Sequence, residues 1–151
     1  MNYLTSLKRQ RERRKNNLLF FFSFILGVTN LITIKTFRGR WRLTQRECSN
    51  AIAILTSIDE LSKNGESGRI RSKDIRKEVA LKFPECRVSD KLLWQLAYCG
   101  FMRISKCVFP YHGFNVMYYS YSMPKKDTFS VATIKEDVAN YIKYKEEADN
   151  D

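Results

Sequence analysis

A single histidine, His112, is all the imidazole in this chain of 151 residues. Paired acid–base catalysis, or a nucleophile beside a base, uses histidine more often than any other side chain. There is no glycine-rich phosphate loop and no Gly-x-Ser-x-Gly elbow. The carboxylates are scattered among cations without metal-ligand spacing. Together these absences predict a protein that is not an enzyme and carries no cofactor. None of the four cysteines (Cys48, Cys86, Cys99 and Cys107) stands in a Cys-x-x-Cys pair, and His112 lies at no zinc spacing from any of them. A chain of this length with 44% apolar residues does not need disulfides to hold a core, so four reduced, mostly buried thiols are expected. A redox or iron–sulfur role for Cys86, Cys99 and Cys107 is the alternative.

A long hydrophobic run is also missing. Leu18 to Val28, LLFFFSFILGV, is apolar for 11 residues and fades by Ile34, whereas a spanning helix needs about 20. No Ala-x-Ala-like cleavage site follows, and both flanks are basic. Residues 1–40 are therefore read as a basic and hydrophobic leader, open to three assignments. It is a disordered or mis-called start, an anchor through residues 18–34, or a helix packed on the domain.

Positive charge is abundant. The net charge is +11, but residues 1–46 hold 11 Lys/Arg against one Glu, residues 47–123 hold 11 against 8, and residues 124–151 hold 5 against 7. Most of the excess lies in the leader, so net charge alone does not argue for a polyanionic partner. Local concentration says more. Arg69, Arg71, Lys73, Arg76, Lys77, Lys82, Arg87 and Lys91 concentrate around two expected helices, with Asp74, Glu78, Glu85 and Asp90 offsetting half of them, so a local basic surface and a solvated mixed-charge face are both open.

Those helices sit in a recognisable order. Trp41-Arg42-Leu43-Thr44 opens the part that reads as folded. Thr44 with Glu47 makes a capping box for a first helix, Gln45 to Lys63, with Ala51, Ile52, Leu55, Ile58 and Leu61 as its buried stripe. Asn64 to Gly68 is a turn, and Arg69-Ile70-Arg71 is a single short strand. Ser72 caps a second helix that ends at Pro84. Ser89 caps a third, with Val88, Leu92, Leu93, Leu96 and Ala97 on one face, and Gly100 ends it. Two aromatic-rich strands, Phe101–Phe109 and Phe114–Met123, flank the turn Pro110-Tyr111-His112-Gly113. A last amphipathic helix, Thr133 to about Lys145, precedes an acidic tail. This is the order of an α+β winged helix-turn-helix, three helices plus a β-hairpin wing, with a C-terminal amphipathic helix added. The organisation expected is a leader at 1–40, a winged-helix domain at 41–123, and a C-terminal helix with acidic tail at 124–151.

The run Val88-Ser89, Leu92-Leu93, Leu96, Gly100-Phe101-Met102 resembles the recognition-helix and first-wing signature of MarR-like bacterial regulators. Arg42-Leu43-Thr44 followed by Ala53 and Leu55 is similar to the opening of the IscR-like regulators. The double-glycine wing motif and three-cysteine cluster of the latter are absent, so cluster sensing is not implied. The resemblance implies a cytoplasmic, sequence-specific binder of double-stranded DNA that regulates transcription.

In that reading Arg71, Lys73, Arg76, Lys77 and Arg87 contact phosphates. Lys91 and Gln95 read bases from the third helix, with Ser89 near its start. Trp94, at the edge of the apolar stripe, either joins that surface or packs on the first helix or a partner subunit. Arg103, Lys106 and His112 on the hairpin lie along the backbone or minor groove, although His112 also suits a plain exposed loop. A homodimer through the C-terminal helix is a further expectation. The rival readings are a winged helix used as a protein-interaction module, anchored at the inner membrane through residues 18–34, and a plasmid- or phage-type replication protein.

Overall fold

Residues 30–65, 70–124 and 130–150 are described by the structure, a computed structural model. The assignments made for residues 1–29, including the apolar run of the proposed anchor, lie outside the described residues. So do residues 66–69 of the expected turn and short strand, and residues 125–129.

The first ordered element is one that the leader assignment passed over. Ile32-Thr33-Ile34-Lys35-Thr36 alternates apolar and polar and is rich in β-branched residues, the composition of a half-buried strand. It forms β1 (Ile32–Thr36), paired antiparallel with β2 (Gly39–Leu43). Ile32 and Ile34 are wholly buried, so the compact unit runs from Ile32 to Asp151 rather than starting at Trp41. The turn is tied by Thr36, whose hydroxyl accepts from the Arg38 N–H at 3.2 Å and donates to the Gly39 carbonyl at 3.0 Å.

Helix α1 (Gln45–Asn64) begins with the expected capping box: Thr44 Oγ1 accepts from the Glu47 N–H, and Glu47 Oε2 accepts from the Thr44 N–H. Its burial is wider than one stripe. Cys48, Ala51, Ala53, Ile54, Leu55, Ser57 and Ile58 are all buried, because α2 and the β1–β2 hairpin with α4 cover it from different sides. Helix α2 (Ser72–Lys82) is capped from Arg71, not Ser72: the Asp74 carboxylate accepts the Arg71 N–H at 3.1 Å. Ile75 and Val79 face the core, while Ala80 is exposed.

Helix α3 (Asp90–Tyr98) is closed at both ends as its sequence predicts. Ser89 Oγ accepts from the Leu92 N–H at 3.1 Å. At the other end Gly100 takes φ +88, Phe101 N–H donates to the Leu96 carbonyl and Gly100 N–H to that of Ala97, which is the Schellman pattern. Phe101 and Met102 then drop into the core, and β3 (Arg103–Tyr111) pairs antiparallel with β4 (Phe114–Ser122). The connection is two residues, His112 and Gly113, both at positive φ, which matches the right-handed twist of the strands. Pro110 and Tyr111, expected in the turn, belong to β3. Ile70 makes a single antiparallel bridge to Tyr121, so β4 is flanked on both sides and β3 is the outer edge.

Helix α4 (Val131–Asp149) starts at Ser130, whose N–H is accepted by Thr133 Oγ1. It packs on β1 and α1 through Ile134, Val138 and Tyr141, and Asp137 accepts the Lys35 N–H at 2.9 Å. The architecture is α+β, with four helices and two antiparallel hairpins among the described residues, an arrangement compatible with a winged-helix-like fold. Among those residues no helix is long and apolar enough to cross a membrane.

Candidate nucleic-acid interface

The apolar positions of α3 turn Leu92, Leu93 and Leu96 inward, leaving Lys91, Trp94 and Tyr98 exposed and Gln95 half-buried. Trp94 lies on the exposed side of α3. About half of it is exposed, and its ring stands edge-on to Tyr119 of β4 at 5.3 Å. It thereby forms a ridge between two grooves.

On one side lies a groove of about 380 Å3 bounded by the start of α2, by α3 and by β4. Arg71 and Lys73 line it, with Trp94, Tyr118 and Tyr119. The Arg71 guanidinium sits 4.7 Å from the centre of the Tyr118 ring, a cation–π contact that fixes its direction. Lys77, one turn beyond Lys73, is exposed on the same helix. Asp90 also faces this groove, but its carboxylate is held by Arg76 at 2.7 Å. Arg76 donates in addition to the Val88 carbonyl at 2.5 Å, so it braces α2 against the entry to α3. Tyr121, at the base, has its phenol pushed above the ordinary value by burial and then by Asp90, against a smaller opposing effect of Arg76.

The second groove, about 600 Å3, runs between α3 and the β1–β2 hairpin. Arg38, Arg40 and Trp41 line it from the hairpin, opposite Lys91, Trp94, Gln95 and Tyr98. The sequence reading places Arg38 and Arg40 in the leader and Trp41 outside the expected interface. The alternation from Ile32 to Thr36 is the signal that would have placed them on a folded strand.

The remaining expected residues divide cleanly. Lys106 lies directly across from Tyr119 in the hairpin register, which puts it on the face that meets Trp94. Arg103 pairs with Ser122 at the base of the hairpin, on the opposite face. His112 stands at the tip, six residues beyond Lys106, or roughly 20 Å along an extended strand. It is exposed, and its ring stands edge-on to that of Tyr111 with centroids 4.3 Å apart. Arg87 is tethered through its N–H to Asn50 of α1 at 3.0 Å, with no described contact to either groove. Ser89 is occupied as a cap. The structure therefore brings Arg71, Lys73, Lys91, Trp94, Gln95 and Lys106 together, and leaves Arg87, Arg103 and His112 apart.

The hairpin itself has an unexpected surface. From Arg103 to Pro124 there is no carboxylate, and Val108, Phe109, Tyr111, Phe114, Val116 and Met117 are exposed.

The four thiols are unbonded to one another, Cys48 and Cys99 buried and Cys86 and Cys107 half-buried. Burial, with Glu47 and Asp137 adding to it, pushes the Cys48 thiol up to about 11. Burial also raises Cys99. Among the described residues no group of His, Cys, Asp and Glu is arranged to hold a metal ion.

Comparison of the chain with protein-family models, with curated proteins and with solved structures returns no match.

Proposed function

We propose that the chain is a winged-helix protein that binds double-stranded DNA in a sequence-specific manner and acts as a cytoplasmic transcriptional regulator. In this reading α1, α2 and α3 are the three helices, the Ile70 bridge is the short first strand, and β3–β4 is the wing. The observation that carries it is the surface of α3. Lys91, Trp94 and Gln95 project between cations of α2 and an acid-free hairpin, and Asp90, the carboxylate that lines the groove, is paired with Arg76. Lys91 and Gln95 would meet base edges in the major groove, Lys donating to guanine O6 and N7, and Gln donating to adenine N7 while accepting from its N6 amino group. Arg71, Lys73, Lys77 and Lys106 would contact phosphates and make the affinity salt-dependent. Arg76 and Ser89 serve by holding α3 in place.

The test is duplex binding by the full chain over a salt titration, compared with the Lys91→Ala and Gln95→Ala variants on a selected sequence. The comparison matters because the basic N-terminal residues attract any polyanion. Both variants should lose discrimination between the selected and a scrambled duplex, at about 1–3 kcal/mol for a good base contact. Discrimination unchanged in both would remove α3 as the reading element.

A second reading, a winged helix used to bind another protein, is favoured by the exposed apolar residues of β3 and β4. Contiguous apolar surface rimmed by polar groups is typical of interaction sites. In that case Phe109→Ser and Phe114→Ser would abolish partner binding and leave duplex binding absent throughout.

A further inference from the structure

We propose that the groove between the β1–β2 hairpin and α3 is a nucleotide-binding site, taking a planar base with its attached phosphate. Its volume, about 600 Å3, lies in the range of small-molecule sites, roughly 300–1,000 Å3. The charge of its walls selects the occupant. Arg38, Arg40 and Lys91 line it and no carboxylate does. Arg40 and Lys91 make no ion pair with any described residue. An anion entering here meets cations not already neutralised.

The aromatic lining selects a flat occupant. Trp41 on β2 and Trp94 on α3 come from separate elements, and each is held by a second ring: Trp41 by Phe101 at 6.3 Å, Trp94 by Tyr119 at 5.3 Å. Tyr98 completes the set and carries the Arg38 guanidinium 4.2 Å from its ring centre. Arg38 Nε also donates to the Tyr98 carbonyl at 3.1 Å, so this cation is oriented before any ligand arrives. Bases stack on such faces whatever their identity, and the Gln95 amide on the same wall offers both a donor and an acceptor to a base edge.

The groove shares Lys91, Trp94 and Gln95 with the surface proposed to read DNA. Nucleotide and duplex would therefore exclude each other, a consequence that rests on the duplex reading, whereas the site itself does not. The nucleotide has two possible sources, a free mononucleotide or an unpaired residue of a single strand.

Both tryptophans of the chain line this groove, so intrinsic fluorescence reports its occupancy directly. The full chain is titrated with adenosine monophosphate, adenosine and inorganic phosphate, with calorimetry alongside. The monophosphate should change the tryptophan emission and bind at least about tenfold more tightly than either fragment. Arg40→Gln and Lys91→Gln should each weaken it about tenfold. Lys63→Gln, which removes a cation paired with Asp59 on α1, should leave it unchanged. Monophosphate binding no tighter than adenosine, or insensitive to Arg40→Gln, overturns the site. A short thymidine oligomer that displaces the monophosphate and depends on Arg40 assigns the site to a strand. One that fails to displace it assigns the site to the free nucleotide. Duplex binding without any monophosphate response defeats this inference alone, and the reverse pattern defeats the duplex reading alone.

Discussion

The two hairpins of this protein are built on opposite terms. In β1–β2 the strands are five residues each, and one face is fully committed to the core through Ile32, Ile34 and Leu43. In β3–β4 the strands are nine residues each, yet only Ser120 and Tyr121 at the base are buried. The short hairpin is held by what it packs against: α1 and α4 cover it, and its turn reaches the end of α3, where the Phe37 N–H donates to the Cys99 carbonyl at 3.3 Å. The long one is held chiefly by its own ladder and a two-residue turn. Stability should therefore reside in the first hairpin and surface chemistry in the second.

The sharpest way to break that contrast is truncation of one large apolar side chain in each. Ile34→Ala removes a wholly buried side chain and should cost about 2–5 kcal/mol. Phe114→Ala, three-quarters exposed, should change stability by about 0.5 kcal/mol or less. Denaturant midpoints at constant m-value read both directly. Equal losses would mean that the long hairpin is buried in an assembly. The junction between the short hairpin and α3 is the next target. Gly100 sits at φ +88, and a Cβ there would lie 3.2 Å from Phe37 Cβ. Gly100→Ala should cost about 1–3 kcal/mol from backbone strain and crowding together, and thermal melts should show it. The turns give the smallest effects, with opposite signs. Thr36→Val removes the hydroxyl's hydrogen bonds with the Arg38 N–H and the Gly39 carbonyl and should lower stability by about 1 kcal/mol. His112→Gly relieves a non-glycine residue at φ +47 and should raise it by about 0.5 kcal/mol, the relief of left-handed strain exceeding the added entropy of the unfolded chain.

What the sequence made legible was the local chemistry. Thr44 with Glu47, Ser89 with its helix, and Gly100 at its end all act within a few residues of themselves, and each is found in the role expected. Two helix starts differ from those expected. Ser72 is outdone by Arg71 with Asp74, and Thr133 serves Ser130 instead of opening the helix. The first hairpin was hidden because its period-two alternation follows directly on the apolar run ending at Val28, and blends into it as a continuation. The wide burial of α1 follows from that hairpin and α4, so a single stripe was all its own periodicity could show. The candidate site was half legible. The face of α3 came from its pattern, but Arg38 and Arg40 meet Lys91 only through tertiary packing, across more than fifty residues of chain.

One feature of the long hairpin bears on how the protein behaves at high concentration. β3 is the outer strand, and its outward edge has no strand partner among the described residues. Cys107-Val108-Phe109 is an apolar triplet that suits edge-to-edge pairing between molecules. It is bracketed by Lys106, whose charge would have to be brought against its like, and by Pro110, which has no N–H to give to a new ladder. These two residues act as gatekeepers. Together they oppose pairing of this edge with the same edge of a second molecule.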